Sequence, residues 1–235
     1  MYELRLYHAV PGRLDELVER IGRVLPPFFD RHGFPPRLGQ WTVSAGPALP
    51  MFVWLLRWPG GFDERTAAFA ALGSDREWQA VRQRTNGTGE MVRKYDFRFL
   101  LPSPAWSPLT GAPASEPVTE EIFEFRDHGM PVGAIGATNE ALAETCLPAL
   151  TNSGAKVLGV FDNQSGPSTP GVSMLLAWTT YAARRDSLRR CASTLGGTRA
   201  GALDVLGPAS CMLLEATPHG RPNHGLCPKE GARAQ

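Results

Sequence analysis

The sequence has little net charge, very few lysines and no long apolar run. Its 24 Lys and Arg residues nearly balance 23 Asp and Glu residues, so no strong field favours nucleic acid or an anionic membrane as a partner. Only 3 of the basic residues are lysine, and the arginines are scattered among acids rather than clustered around a phosphate site. No stretch approaches the roughly 18 apolar residues of a membrane span, and no signal peptide is recognisable. These absences predict a soluble, cytoplasmic protein.

The sequence also lacks the motifs of the common cofactor sites. It contains no P-loop, dinucleotide fingerprint, HExxH, EF-hand loop or GxSxG motif. Its four cysteines lie in the second half without CxxC spacing, which indicates neither a zinc site nor a redox pair. We therefore expect no metal, flavin or nucleotide cofactor.

The most informative feature that is present is an internal repeat. Residues 39–58 recur 120 positions later as residues 159–178, with identities in order at one constant spacing. The repeated residues of the first copy are Gly39, Gly46, Pro47, Pro50, Leu55, Leu56 and Trp58. Two copies of about 110 residues indicate a gene duplication rather than a solenoid, which needs three or more short units.

The repeat predicts two domains. The first covers residues 1–101 and the second, more diverged, covers residues 118–217. Residues 102–117 are rich in Pro, Ser and Ala and have no hydrophobic period, so they are predicted to form a linker. Residues 218–235 carry little apolar mass and are predicted to form a flexible tail.

Hydrophobic periodicity gives each domain the element order β-α-β-β-α-β. Residues 2–10 alternate as a strand does, with Glu3, Arg5 and Tyr7 on one face. The Pro26-Pro27 pair should interrupt the first helix, and residues 74–77 form a predicted capping box. Such a unit places both helices on one face of its sheet and leaves the other face bare, and Glu3, Arg5 and Tyr7 are predicted to lie on that bare face. We therefore predict an α+β protein of two tandem ferredoxin-like units, packed sheet to sheet as an intramolecular dimeric α/β barrel.

Several segments of the first domain resemble the NIPSNAP family. These are YELRLY, a helix ending near HGF, LGQW before a Gly-Pro turn, FDERTAAFAAL and SDREWQAV. The resemblance covers residues 1–101 well and is weaker in the second domain, where EIFEF stands in the place of YELRLY. It implies the dimeric α/β-barrel superfamily, which includes cofactor-independent monooxygenases, cyclases, isomerases and small-ligand binders. Fold alone does not choose among these functions.

Glu3, Arg5 and Tyr7 are the candidate catalytic residues. Arg5 would orient a carboxylate, phenolate or enolate, and Tyr7 or Glu3 would move a proton. The alternative is an internal ion pair with aromatic packing between the halves. In the second copy, Glu121 is predicted to occupy the place of Glu3, and Phe123 and Phe125 are predicted to replace Arg5 and Tyr7. Only one of the two cavities would then keep its chemical groups.

Further residues are candidates for binding a flat substrate. Trp54, Trp58 and Trp41 would form stacking walls, although core packing is the simpler explanation of strand tryptophans. His32 ends the first helix and is either a base or a residue that favours the helix dipole. The same group includes the second-copy residues Phe123, Phe125 and Glu121.

These residues predict a cofactor-independent enzyme of small-molecule biosynthesis. It would isomerise, cyclise or oxygenate an aromatic or polyketide-like intermediate in the barrel cavity. The alternative is a non-catalytic ligand-binding or scaffold protein. A small organic molecule is the expected partner, and outer strand or helix surfaces leave room for a homo-oligomer.

Overall fold

A computed structural model describes residues 1–109, 118–196, 209–222 and 226. The first half begins with strand β1 (Tyr2–Ala9), followed by helix α1 (Leu14–Glu19), a π-helical segment (Arg20–Val24) and helix α2 (Pro26–Arg31). It continues with strands β2 (Arg37–Ala45) and β3 (Met51–Arg57), helices α3 (Gly61–Ser74) and α4 (Arg76–Asn86), and strand β4 (Val92–Pro102). The helix therefore breaks at Pro26, as expected, because Pro26 and Pro27 have no N–H to donate and fit the first turn of a new helix.

The second half repeats the same plan. After a 3₁₀ segment (Pro104–Leu109) come strand β5 (Ile122–Gly129), helix α5 (Ile135–Ala141), a second π-helical segment (Leu142–Cys146) and helix α6 (Leu147–Asn152). Strands β6 (Lys156–Asn163) and β7 (Gly171–Trp178), helix α7 (Tyr181–Gly196) and strand β8 (Ala209–Ala216) complete it. Within the described ranges, no helix combines the length and hydropathy that a bilayer span requires.

The strands confirm the predicted α+β barrel class. Hydrogen bonding joins them in the order β1-β3-β2-β8-β5-β7-β6-β4 of a closed barrel. In the first half, β1 lies between β3 and β4, and β3 pairs with β2, all antiparallel. This is the strand order of a ferredoxin-like sheet. In the second half, β7 likewise pairs with both β5 and β6.

The chain divides into two compact units, which we describe separately. The first unit comprises Met1–Leu100 and Met212–Arg221, and the second comprises Leu101–Cys211 and Pro222–Gln235. The segment after β8 is held in the first unit, because the Gln40 N–H donates to the Gly220 carbonyl at 2.7 Å. In the second unit, Trp106 of the 3₁₀ segment packs edge-on against Phe161, with 5.2 Å between the ring centroids. The predicted linker residues 110–117 lie outside the described residues.

The core of the first unit lies between its sheet and its own helices. Tyr7, Phe52 and Trp54 of the strands form one apolar cluster with α1, the π segment, α2, α3 and α4. On the other face of the sheet, Gly39 of β2 leaves room for the ring of Trp41 on the same strand. A Cβ at position 39 would meet that ring at 2.3 Å. Gly159 and Phe161 repeat this arrangement in the second unit, where the contact would be 2.5 Å. The sequence repeat therefore reflects equivalent packing.

The predicted alignment of the first strands of the two copies is wrong. Glu3 pairs with Leu56 on β3, and Leu176, which is 120 residues after Leu56, pairs with Glu124 on β5. Glu124, not Glu121, therefore occupies the place of Glu3. A strand slipped by an odd number of residues exchanges its faces, so Phe123 and Phe125 lie on the face opposite Glu124.

Candidate functional site

A buried ion-pair network surrounds Glu3 in the first unit. Arg5 Nη1 donates to Glu3 Oε1 at 2.5 Å, and Arg65 of α3 donates from Nη2 to Oε1 and from Nε to Oε2, both at 2.9 Å. Trp58 Nε1 donates to Oε2 at 2.8 Å. A carboxylate offers about four acceptor positions, and all of those of Glu3 are occupied. Glu3 is completely buried and therefore fits an anchoring role rather than that of a proton acceptor.

The second unit contains the same network. Arg126 Nε donates to Glu124 Oε1 at 2.7 Å, and Arg184 of α7 donates to both carboxylate oxygens at 2.8 and 3.0 Å. Trp178 Nε1 donates to Oε2 at 3.2 Å. Burial raises the pKa of Glu124, but the hydrogen bonds of Arg184 and the charge of Arg126 outweigh it, so the pKa falls to about 2.

The second network also contains Cys211, which was not among the predicted site residues. The Cys211 thiol donates to Glu124 Oε1 at 3.0 Å. Burial and the neighbouring Glu124 carboxylate raise the pKa of Cys211 to about 12. This thiol therefore remains protonated at neutral pH and is a poor nucleophile.

The predicted direction of the Glu3, Arg5 and Tyr7 face is wrong. These side chains were expected on the face of the sheet that its helices leave bare. Glu3 instead bonds Arg65 of α3, and Tyr7 belongs to the apolar cluster that the helices cover. The physical reason is that a buried carboxylate requires partners, and α3 supplies the arginine that β1 alone cannot.

The structure brings Tyr7, Arg5 and Trp54 together beneath the helices. Arg5 and Trp54 are cross-strand partners, and the Tyr7 and Trp54 rings meet edge to face with centroids 5.8 Å apart. Arg5 Nε donates to the Tyr7 hydroxyl at 3.1 Å. The ring centroids of Phe69 and Phe97 lie 4.4 and 4.2 Å from the guanidinium carbon of Arg5. Arg5 is thus held by both its ion pair and its aromatic neighbours.

Tyr7 is held as a protonated phenol. Burial raises its pKa, and the nearby Arg5 charge only partly opposes this. Its hydroxyl oxygen accepts from Arg5, whereas its own hydrogen has no acceptor in the described part of the chain. Tyr7 can therefore donate a hydrogen bond or a proton to a bound molecule.

A cavity of about 90 Å³ opens beside Tyr7, between the sheet and the helices of the first unit. Its lining is mostly apolar and aromatic, with two arginines and no carboxylate or histidine. The lining residues are Tyr7, Leu17, Arg20, Ile21, Leu25, Phe29, Trp54, Phe69, Leu72, Trp78, Arg82, Val92 and Tyr95. The composition is that of a small-molecule pocket, in which a few polar groups orient the ligand.

Two donors in this lining are buried without a partner. Trp54 is completely buried, and its indole Nε1 has no hydrogen-bond acceptor within the described ranges. Arg20, the first residue of the π segment, is 7% exposed, and its Nε likewise has none. Buried N–H groups are normally paired, so each marks a position where a ligand oxygen would be bound.

The remaining first-unit candidates lie outside the cavity lining. Trp58 contacts the Glu3 network, and Trp41 pairs with Val53 and so faces the side of the sheet opposite Trp54. His32 Nε2 lies 2.7 Å from Asp75 Oδ2. Asp75, rather than Ser74 of the predicted capping box, caps α4 by accepting from the Glu77 and Trp78 N–H groups. His32 therefore connects the end of α2 to the start of α4.

The second-unit candidates are also separate from the cavity. Phe123 and Phe125 are buried strand residues of β5. Glu121 precedes this strand, and its backbone N–H donates to the Trp178 carbonyl at 3.1 Å. The cavity and its donors lie entirely in the first unit.

Two important residues, Arg65 and Arg20, are missing from the sequence-based candidates. An arginine follows the repeated tryptophan in both copies: Arg65 lies seven residues after Trp58, and Arg184 lies six residues after Trp178. The repeat therefore indicated an arginine with the same role in both units. Arg20 lies three residues after Leu17 and next to Ile21, at the spacing of the apolar face of the first helical region. A charged residue on an apolar helix face is unusual and was the available clue.

Within the described ranges, no group of three or more His, Cys, Asp or Glu side chains is arranged as a metal-binding set.

Comparison with known proteins supports the fold. The NIPSNAP family model matches residues 2–108. A sequence search of curated proteins gave no match. A solved NIPSNAP family protein from Agrobacterium tumefaciens is 22% identical over 46% of this chain and 96% of its own length, with a TM-score of 0.39.

Two further solved structures match nearly the whole chain. A proposed monooxygenase from Lactobacillus acidophilus is 8% identical, with 95% of this chain and 96% of that chain covered and a TM-score of 0.57. A mutant chlorite dismutase from Candidatus Nitrospira defluvii is also 8% identical, with 92% and 91% covered and a TM-score of 0.55. At such low identity these likenesses establish the α/β-barrel fold and not an activity.

Proposed function

We propose that this chain, whose residues 2–108 form a NIPSNAP domain, is a cofactor-independent enzyme that acts on a small ring-containing intermediate in the cavity of its first unit. The observation that carries the proposal is the Tyr7 phenol, fixed by Arg5 and with its hydrogen uncommitted, at the wall of a pocket that also contains an unpaired Trp54 N–H. A pocket that positions one proton donor and one oxygen-binding donor suits proton transfer to a bound intermediate.

The cavity limits the size of the reacting group. A cavity of about 150 Å³ accommodates benzene, so a space of about 90 Å³ suits one ring edge or the reactive end of a larger aromatic or polyketide-like molecule. The rest of that molecule would extend through the mouth of the cavity. Isomerisation, cyclisation and oxygenation all remain compatible with this geometry.

Each residue has a defined role in the proposed reaction. Trp54 Nε1 binds a carbonyl or enol oxygen of the intermediate and stabilises charge that develops there. Tyr7 delivers its proton to the intermediate and recovers it afterwards. Arg5 fixes the Tyr7 hydroxyl, and Glu3 fixes Arg5, so these two are positioning residues.

The second candidate function is ligand binding without catalysis. It is favoured by one observation: the cavity lining includes no carboxylate or histidine that could remove a proton from carbon. In this reading Tyr7, Trp54 and Arg20 hold a small molecule that leaves unchanged.

Substrate depletion from a metabolite extract distinguishes the two functions. The purified chain is incubated with an extract of its source cells, and small molecules are followed by mass spectrometry. We expect wild type to consume at least one metabolite, and Tyr7→Phe to do so about 100-fold more slowly. The matched control is His128→Gln, at the equivalent strand position of the second unit, which should leave the rate unchanged. A metabolite that is bound but never consumed would instead establish the binding function.

A further inference from the structure

The guanidinium of Arg20 is a buried positive charge without a counter-ion. Its single hydrogen bond is donated from Nη2 to the neutral side-chain oxygen of Asn86. No carboxylate lies within ion-pair distance of it in the part of the chain that the structure describes. Burial lowers the pKa of Arg20, which reflects the cost of keeping this charge away from water.

The surroundings of Arg20 do not neutralise it. The titratable groups that interact electrostatically with it include Glu90, Tyr95, Arg82, Arg13 and Glu16. Glu90 is committed to Arg82 at 2.8 Å, and Arg13 is paired with Glu16 at 2.7 Å. Each of these two ion pairs has no net charge, so neither compensates the positive charge of Arg20. Buried charges in proteins are almost always paired, so a partner from outside the chain is indicated.

The two unpaired donors belong to the same cavity. Arg20 and Trp54 both line it, and neither Arg20 Nε nor Trp54 Nε1 has an acceptor among the described residues. Tyr7 also has a hydrogen to donate. The other polar side chains of the lining are Tyr95, Trp78 and Arg82, and the charge of Arg82 is paired with Glu90. The lining therefore offers several N–H and O–H donors and no carboxylate, which suits an ionised oxygen.

We propose that the first-unit cavity binds a ring compound bearing an ionised oxygen, a carboxylate or a phenolate, with Arg20 as its counter-ion. The inference rests on the cavity of the proposed function and specifies the charge and chemical class of its ligand. Arg20 is then a specificity-determining residue, and it selects anionic molecules over neutral molecules of the same shape.

The test compares benzoate with benzamide, two single-ring probes of nearly equal shape that differ in charge. Binding to the full chain is measured by isothermal titration calorimetry. Wild type should bind benzoate at least about tenfold more tightly than benzamide, because a hydrogen bond to a charged group is worth more than a neutral one. Arg20→Met should abolish this preference.

Two controls keep the result specific. Arg23→Met removes another arginine of the same π-helical segment, whose exposed charge is paired with Glu19 at 3.0 Å and does not line the cavity, and it should preserve the preference for benzoate. Thermal unfolding gives a second readout: Arg20→Met should unfold at the same temperature as wild type or higher, because an unpaired buried charge has been removed. A structural role for Arg20 predicts a clear loss of thermal stability instead.

Three outcomes would overturn the proposal: equal affinity for the two probes, unchanged benzoate preference in Arg20→Met, or no binding of either probe. Failure of the proposed function is distinguishable. If Tyr7→Phe leaves metabolite turnover unchanged while benzoate preference still depends on Arg20, the cavity binds anions and the catalytic assignment is the part that fails.

Discussion

The two units share their buried ion-pair network and differ in the cavity next to it. Glu3, with two arginines and a tryptophan, has its counterpart in Glu124, with two arginines and a tryptophan. Beside this network, the first unit has Arg20, Tyr7 and Trp54. The second unit has Leu142 at the start of the matching π segment, and His128 and Met174 at the matching strand positions.

The comparison separates residues of the fold from residues of a site. A feature present in both units is explained by a structural role that both units share, such as joining a strand to a helix across a buried interface. A feature present in only one unit has no such structural explanation. The Glu–Arg–Trp network therefore belongs to the fold, and the three donors of the first-unit cavity are the functional candidates.

The largest expected effect comes from removing the shared carboxylates. Glu3→Ala leaves buried Arg5 and half-buried Arg65 without a counter-ion, and Glu124→Ala does the same to half-buried Arg126 and Arg184. Each substitution should lower the free energy of unfolding by about 3–5 kcal/mol. Urea denaturation measures this for both variants. The control is Glu16→Ala, which removes an exposed pair with Arg13 and should change stability little, because water screens exposed ion pairs. Losses below 1 kcal/mol at either buried site would mean that the networks are not structural.

Acid should weaken the second unit in a defined range of pH. The pKa of Glu124 is about 2 in the folded chain, below its ordinary value of 4.5, so the unfolded chain binds the proton more readily. Stability from this group is therefore complete above pH 4.5 and is lost as the pH falls towards 2. The lowered pKa of Glu124 corresponds to about 3 kcal/mol of unfolding free energy at neutral pH. Urea unfolding between pH 5 and 2 should show a steeper loss for wild type than for Glu124→Gln; equal slopes would refute the shift.

A smaller effect distinguishes two buried tryptophans of the first unit. Trp58 Nε1 donates to the Glu3 carboxylate, whereas Trp54 Nε1 has no acceptor in the described ranges. Trp58→Phe should therefore cost about 1.5–3 kcal/mol more in unfolding free energy than Trp54→Phe, since only the former loses a hydrogen bond to a charged group. Similar losses would show that Trp54 is bonded within the folded chain.

Much of the fold was readable because the repeat and the strand period are local signals. The order β-α-β-β-α-β, the Pro26 break and the position of β6 followed from spacing alone. The alignment of β5 did not, because that strand is buried on both faces and loses the alternation that fixes a strand's faces. EIFEFRD contains two glutamates, Glu121 and Glu124, and only the ladder with β7 decides between them.

The site was predictable in part. Arg5 and Tyr7 share one face of β1 by alternation, and Arg5 pairs with Trp54 of β3. Their side of the sheet was assigned wrongly, because alternation separates the two faces of a strand without showing which face the helices cover. The carboxylate of Glu3 instead needs Arg65, a long-range ion pair that no local pattern encodes. Arg20 was missed for a similar reason: its significance lies in the missing counter-ion, which is visible only in three dimensions.

The most direct test of the account is a crystal structure of the chain soaked with benzoate. The account predicts the benzoate carboxylate inside the first-unit cavity, with its oxygens within hydrogen-bond distance of Arg20 Nε and Trp54 Nε1 and the ring extending towards the mouth of the cavity. Benzoate bound instead beside Leu142 and Met174 of the second unit, or a first-unit cavity that stays free of it at saturating concentration, would contradict the account.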